Sequence, residues 1–575
     1  MPASTEVAPF AEQLDPAFHA SLARANGTLS MASAALAFTD WWLHLATSPG
    51  KLTDLANLAQ QQAAQLAGYA TACAVAGVEG PSPCVPAERD HRFDAPQWRR
   101  WPFNLLQQSF LLTEQWWAAA TGGVWAVEPH HEQKVAFMAR QVLDMVSPTN
   151  FLATNPVVLE RTRDEAGMNL WRGLSFALDD ARRLLTDAPP AGSERYVLGR
   201  NLAATPGRVV LRNRLIELIQ YAPRTKRVHA EPILIVPAWI MKYYILDLAP
   251  GSSLIEYLVE RGHTVFCISW KNPQADDRDL GMEDYLQLGP MAALEAIGRI
   301  VPGQKVHAVG YCLGGTLLAA TAAAMARDGD ARLGTLTLFA AQTDFREPGE
   351  LSLFVDESQV GLLEAQMKER GYLTSHQMAG AFQMLRSYDL LWSRLVGEYL
   401  LGERRPLDAL MAWNADATRM PARMHSEYLR SFFLHNDLAE GRYRVTGRTV
   451  SLERVRVPMF IVSTLADHVA PWRSVYKIHH LSPAPMTFLL TTGGHNAGIV
   501  SPPGHALQHR FQLHERAAGA PMPSPDEWQA VAPTHEGSWW PAWQTWLAKR
   551  SGTLVEPPRL VTTLGAAPGE YVLQK

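Results

Sequence analysis

Apolar and polar positions change rhythm part-way along the chain. Up to about residue 185, apolar side chains recur at helical spacing. The pattern runs across 9–51 and through 104–120, with Leu105, Phe110, Leu111, Leu112, Trp116 and Trp117, and it returns across 133–146 and 169–185. The stretch 187–193, with Pro189, Pro190 and Gly192, reads as a boundary. Beyond it the period shortens, and β-rich runs appear at 232–236, 263–270, 305–311, 334–341, 458–464 and 486–492. Several are apolar throughout instead of alternating, as suits strands covered on both faces of a parallel sheet. Helical segments separate them at 253–261, 282–300, 314–328 and 473–480. Strand–helix alternation predicts an α/β fold. The interval 341–458 holds no strong buried strand but shows helical signal at 361–370 and 375–401. It is expected to be an insertion that caps the sheet edge. The predicted organisation is an N-terminal mainly helical domain over 1–192 and an α/β catalytic domain over 193–575, with a cap at about 346–440. No internal repeat is evident.

Composition narrows the function. A chain of 575 residues is too long for one ordinary domain. With 47% apolar and 19% charged residues it is globular in class, not disordered. A net charge of −4 and the lack of a long basic run argue against a nucleic-acid partner. The four cysteines, Cys73, Cys84, Cys267 and Cys312, have no C-x-x-C spacing, so neither a metal site nor a redox dithiol is expected. Four are too few to staple a chain of this size, which suits a reduced, cytosolic setting. Residues 1–15 carry acidic side chains and no apolar segment, so they do not read as a signal peptide. The uncharged stretch 55–78 carries four glutamines and reads as an alanine-rich surface helix, not a transmembrane one. The 18 tryptophans include the adjacent pairs Trp41-Trp42, Trp116-Trp117 and Trp539-Trp540, which suit a core or a wet–apolar boundary.

The chemistry centres on Gly310-Tyr311-Cys312-Leu313-Gly314, between a predicted strand and a predicted helix. That is the context of a nucleophile elbow. The tight turn needs very small residues two positions either side of the nucleophile, which Gly310 and Gly314 supply. The start of a helix favours a thiolate at Cys312, and the Leu313 N–H would face a developing oxyanion. The competing reading is a buried structural cysteine beside a glycine turn. In this fold the acid follows a later strand and the histidine the next one. Asp467 follows 458–464 and His495 follows 486–492, in that order. Alone, Asp467 could be a turn or cap residue and His495 a loop histidine; order and placement together favour a catalytic set. A second oxyanion N–H is expected near Trp239, after the early strand, since Pro237 cannot donate. Cys267, inside an apolar run, reads as a core thiol. A cysteine suits acyl transfer from a thioester such as acyl-CoA, because exchange between thioesters is nearly energy-neutral. The acyl group then passes to a second nucleophile if water is kept out.

The chain resembles the polyhydroxyalkanoate (poly-3-hydroxybutyrate) synthases, and their single-subunit, class I-like members most. The resemblance rests on Asn150-Phe151-Leu152-Ala153-Thr154-Asn155-Pro156, on Lys242 to Leu248, on Gly262-His263-Thr264-Val265 and on Ser269 to Pro273. It extends through the cysteine box, Phe354-Val355-Asp356-Glu357, Trp413-Asn414 with Asp416 and Thr418, Asp467-His468, Pro471-Trp472 and Gly494-His495. Gly537-Ser538-Trp539-Trp540 and Pro568 to Val572 complete it. It departs at Tyr388 to Arg394, which bears on cap contacts. The resemblance implies an α/β-hydrolase fold and polymerisation of (R)-3-hydroxyacyl-CoA with release of CoA and no cofactor. Cys312 would carry the acyl group and His495 would deprotonate it. Asp467 would orient His495 or help activate the attacking 3-hydroxyl. It also implies a homodimer at the surface of cytoplasmic polyester granules. Residue chemistry alone leaves a thioesterase or intracellular polyester depolymerase as the alternative. A granule-binding protein without catalysis is opposed by the intact Cys312, Asp467 and His495.

Overall fold

The structure, a computed structural model, describes residues 30–76, 82–87, 90–186, 188–378, 380, 391–504, 509–560 and 564–575. Its described residues form two compact units.

One unit holds the helical region up to Gly192 together with 379–406. Its helices are α1 (Met31–Ala46), α2 (Pro49–Ala76), α3 (Phe103–Thr121), α4 (Pro129–Met145), α5 (Pro156–Asp164) and α6 (Met168–Leu185). The helical pattern across 9–51 is broken ahead of Pro49, which opens α2; its part before Ser30 lies outside the described residues. Trp41, Leu45, Leu55, Ala120 and Val135 form one core, and the Trp41 indole N–H donates to the Ala120 carbonyl at 3.0 Å. Trp98, Phe110, Leu111 and Leu112 form a second. The segment 379–406 was expected within the cap of the catalytic domain. Its described residues 391–406 belong to the helical unit instead: Asn169 donates to the Leu400 carbonyl at 2.8 Å, and Arg394 pairs with Glu398 and Asp180. Helical periodicity shows that a segment is helical but not which neighbour its apolar face meets. Of the departure at 388–394, residues 388–390 lie outside the described residues.

The other unit is built on a ten-stranded sheet. Its strands are β1 (Gly207–Arg212), β2 (Ile216–Tyr221), β3 (Ile233–Val236), β4 (Val265–Trp270), β5 (Val306–Tyr311), β6 (Leu333–Phe339), β7 (Met459–Thr464), β8 (Met486–Thr491), β9 (Arg510–Arg516) and β10 (Thr534–Glu536). Their order is β1-β2-β4-β3-β5-β6-β7-β8-β9-β10. β4, β3, β5, β6, β7 and β8 are mutually parallel, and antiparallel strands close both edges. The six predicted strands are the six parallel ones. They are buried on both faces at nearly every position, as suits runs that are mainly apolar and lack alternation. Helix α7 (Leu313–Asp328) packs under β5 and β6, and α8 (Ala422–Tyr428) belongs to the cap. Trp539 and Trp540, both buried, open α9 (Trp540–Ala548). No helix among the described residues is long and apolar enough to cross a membrane.

Candidate active site

β5 delivers the chain to Cys312, and α7 begins at the next residue. Cys312 turns at φ 52° and ψ −126°, a conformation that costs a non-glycine residue about 1–3 kcal/mol. Neighbouring glycines make the turn possible. A Cβ on Gly310 would strike the Gly315 backbone, and one on Gly314 would strike the carbonyl oxygens of Val236 and Pro237. The Cys312 N–H donates to the Phe339 carbonyl at 2.9 Å, and its own carbonyl accepts from Gly315 at 2.9 Å. The first turn of α7 therefore stands behind the sulfur, its positive end towards any negative charge that develops there.

Asp467 follows β7 and His495 follows β8, side by side because the two strands pair in parallel register. The Ala466 N–H donates to the Gly493 carbonyl at 3.0 Å and ties the two loops together. His495 Nδ1 meets Asp467 Oδ2 at 2.8 Å. The same oxygen accepts from the Thr464 hydroxyl at 3.2 Å, while Oδ1 accepts from the N–H groups of Val469 and Ala470 at 2.9 and 2.8 Å. Burial alone would raise the Asp467 carboxyl, but the His495 charge and these donors hold it below the usual carboxylate range. Burial likewise opposes protonation of His495. The charges of Asp467 and Cys312, with hydrogen bonding to both, hold the imidazole well above its ordinary value. With Nδ1 engaged by Asp467, Nε2 is the nitrogen left for the Cys312 side. Cys312, Asp467 and His495 are thus brought together.

The two expected oxyanion donors sit on either side of the same turn. Leu313 opens α7. Trp239 lies in the loop after β3, whose Val236 is in register with Gly310. The Pro237 carbonyl accepts from the Trp270 indole at 2.8 Å, and the Trp239 carbonyl from the Thr418 hydroxyl at 2.5 Å. These bonds flank the Ala238–Trp239 peptide and fix its orientation. Cys267 is fully buried in β4, and burial, with Asp247 nearby, pushes its thiol far up. Cys73, Cys84, Cys267 and Cys312 are all free thiols.

Three neighbours escaped the sequence reading. Tyr428, the last residue of α8, lies within electrostatic reach of Cys312. Its ring meets Trp239 edge-on at 5.9 Å and Phe433 at 5.5 Å. The Tyr311 hydroxyl donates to Asn496 at 2.5 Å, and its ring lies 5.7 Å from His495. Thr464 supports Asp467. The clue for Thr464 and Tyr311 was their position at strand ends beside the predicted set; a cap tyrosine offers no such clue.

Family profiles described as the N-terminus of poly-beta-hydroxybutyrate polymerase match residues 9–51 and 89–258. One described as the alpha/beta hydrolase fold matches residues 231–502. The chain is 41% identical over 503 residues to the poly(3-hydroxyalkanoate) polymerase of Methylorubrum extorquens, covering 85% of this chain and 82% of that one.

The chain belongs to the poly(3-hydroxyalkanoate) polymerase family.

Two further members of the polymerase family are close in length and sequence. The polymerase subunit of Rhizobium meliloti is 38% identical over 84% of this chain and 79% of its own. That of Cupriavidus necator is 35% identical over 86% and 85%. Several stretches that carried the resemblance are joints of the site. Trp413 and Thr418 hold the Lys242 and Trp239 carbonyls. The indoles of Trp539 and Trp540 donate to the carbonyls of Gly498 and Ile499, just beyond His495.

Proposed function

We propose that this chain polymerises (R)-3-hydroxyacyl-CoA, 3-hydroxybutyryl-CoA first among such substrates, into polyhydroxyalkanoate with release of CoA. The observation that carries the reading is a cysteine at a strained elbow, backed by a buried His495–Asp467 pair, in a chain of the polymerase family.

His495 takes the Cys312 proton and the thiolate adds to the thioester carbonyl. The Leu313 and Trp239 N–H groups hold the resulting oxyanion. The C–S bond to CoA then breaks, and the CoA sulfur leaves with the proton from His495. Next, the 3-hydroxyl of one acyl unit attacks the thioester on Cys312. Its proton passes to His495, an ester bond forms, and the Cys312 sulfur departs; the lengthened chain, still a CoA thioester, then acylates Cys312 again and releases CoA. Asp467 orients His495 in both halves. The chemistry calls for no resident cofactor or metal, since the CoA thioester is itself the substrate. Tyr428, Trp239 and Phe433 form an aromatic cover near Cys312, which is only 9% exposed, and this favours transfer to a hydroxyl over transfer to water.

The proposal places the enzyme as a homodimer in the cytoplasm, at the surface of its polyester granules. Support comes from α6, whose Met168, Trp171, Leu174 and Leu178 are exposed on one amphipathic helix.

The test is CoA release from (R)-3-hydroxybutyryl-CoA by wild type and Cys312→Ala, with insoluble polymer and free hydroxy acid assayed together. CoA matched by polymer in wild type, and neither in the variant, is the expected result. CoA matched by free acid alone would make the protein a thioesterase.

A further inference from the structure

Lys242 is buried, and it follows the Trp239 loop by three positions. An ammonium taken out of water is costly unless it is well paired. Lys242 Nζ donates to the backbone carbonyl of Gln574 at 2.6 Å and lies 3.5 Å from that of Tyr571. Burial pulls the Lys242 pKa down to about 8, and Asp416, the nearby opposite charge, opposes that fall. The ammonium therefore holds on to the end of the chain, not to a carboxylate contact.

That end is fixed from several sides. The Asn272 N–H donates to the Gln574 side chain at 3.1 Å. Arg419 donates to the Lys575 carbonyl at 2.8 Å, while the Arg419 N–H donates to Asn272 at 2.9 Å. Upstream, the fully buried Glu217 of β2 accepts from the N–H groups of Glu570 and Tyr571, both at 2.9 Å. Residues 570–575 are thus strung between a buried anion and a buried cation. The cation's own backbone leads into the candidate oxyanion loop. The Lys242 carbonyl accepts from the Trp413 indole at 2.7 Å, Met241 bridges to Ala417, and the Trp239 carbonyl accepts from Thr418.

We infer that Lys242 is a positioning residue for acyl transfer: by clamping residues 571–575 it sets the Trp239 loop, and hence the second oxyanion N–H. The inference rests on the acyl-transfer reading above. Desolvation offsets much of what a buried ammonium gains from its contacts, so the role inferred for Lys242 is one of position. A misplaced oxyanion donor costs rate while leaving the nucleophile intact.

Alkylation separates the two effects. Iodoacetamide reacts with a thiolate by displacement and builds no oxyanion, whereas thioester cleavage does. The experiment compares wild type, Lys242→Met, a chain ending at Leu573, and the two changes combined. CoA release from (R)-3-hydroxybutyryl-CoA is measured beside the rate of Cys312 carbamidomethylation, read on its peptide by mass spectrometry. Lys242→Met and the truncation are each expected to lower kcat by about 10- to 100-fold, with KM and the Cys312 alkylation rate within about twofold of wild type. Combined, they are expected to cost no more than either alone. If Lys242→Met does not fold, the truncation carries the same comparison. Unchanged kcat in the folded variants would overturn the inference. So would a parallel fall of kcat and alkylation, which marks a merely structural role. Absence of CoA release from wild type would instead refute the polymerase reading, and this inference with it.

Discussion

Asp467 has no lone pair left for substrate. Oδ2 accepts from His495 and Thr464, Oδ1 from Val469 and Ala470, and the side chain is fully buried. The sequence left open whether this carboxylate orients the histidine or activates the 3-hydroxyl, because residue order carries no hydrogen-bond count. The occupied oxygens favour orientation. Asp467→Asn keeps the shape but no longer selects the imidazole tautomer, so kcat for CoA release is expected to fall by about 10²- to 10⁴-fold. The melting temperature, checked by differential scanning fluorimetry, should move little. A variant with near-normal kcat would remove Asp467 from the mechanism. Cys312, Asp467 and His495 were legible for a simple reason. Each follows a strand whose mainly apolar, non-alternating run announces it, and Gly310 and Gly314 stand where the turn admits no Cβ. Tyr428 was not, since a tyrosine ending a cap helix looks like any core aromatic.

At the scale of elements, the six parallel strands could be read directly, and the antiparallel edges could not. β2 is buried at every position yet carries Glu217 and Gln220. Its glutamate is satisfied by Arg212, across the hairpin, and by the N–H groups of Glu570 and Tyr571, which lie far away in sequence. A polar residue in a run reads as a break unless its partners are known. The predicted helix over 282–300 is interrupted for a similar local reason: Gly289 and Pro290 wind it into a π-helical turn at Gln287–Met291. Helix α6 shows the converse, a pattern that is clear but incompletely used. Trp171 and Leu178 are 67% and 63% exposed, so they contribute little to folding. Trp171→Glu with Leu178→Glu is expected to leave CoA release within about twofold of wild type while reducing co-sedimentation with polyester particles. Undiminished sedimentation would exclude this face from the polymer surface.

For the molecule as a whole, buried histidines are expected to contribute to its response to acid. His263 is fully buried, stacked on His229 at 4.5 Å, with His307 also nearby. Burial, reinforced by the neighbouring rings His229 and His307, brings His263 down to about 3. Burial brings His307 down to about 4, with Glu231 opposing. Both lie below the unfolded value of about 6.5. The unfolded chain therefore binds more protons in acid, and the stability these neutral rings contribute, complete above that value, is lost as pH falls towards 4 and 3. Thermal unfolding should show a lower midpoint at about pH 5 than at about pH 7.5, and His263→Phe should narrow that gap. An unchanged gap would assign the acid response to other groups. The division into two units was half visible. The boundary near Gly192 showed in Pro189, Pro190 and Gly192, but the return of 379–406 to the helical unit depends on contacts such as Asn169 with Leu400, which no local pattern encodes. In the proposed reaction the growing polyester hangs on Cys312 as a covalent thioester. The direct measurement is peptide mass spectrometry of enzyme quenched in acid during turnover of (R)-3-hydroxybutyryl-CoA. A ladder of hydroxyacyl increments is expected on the peptide carrying Cys312, abolished by hydroxylamine and absent in Cys312→Ala. An unmodified Cys312 peptide in enzyme that is making polymer would contradict this covalent attachment.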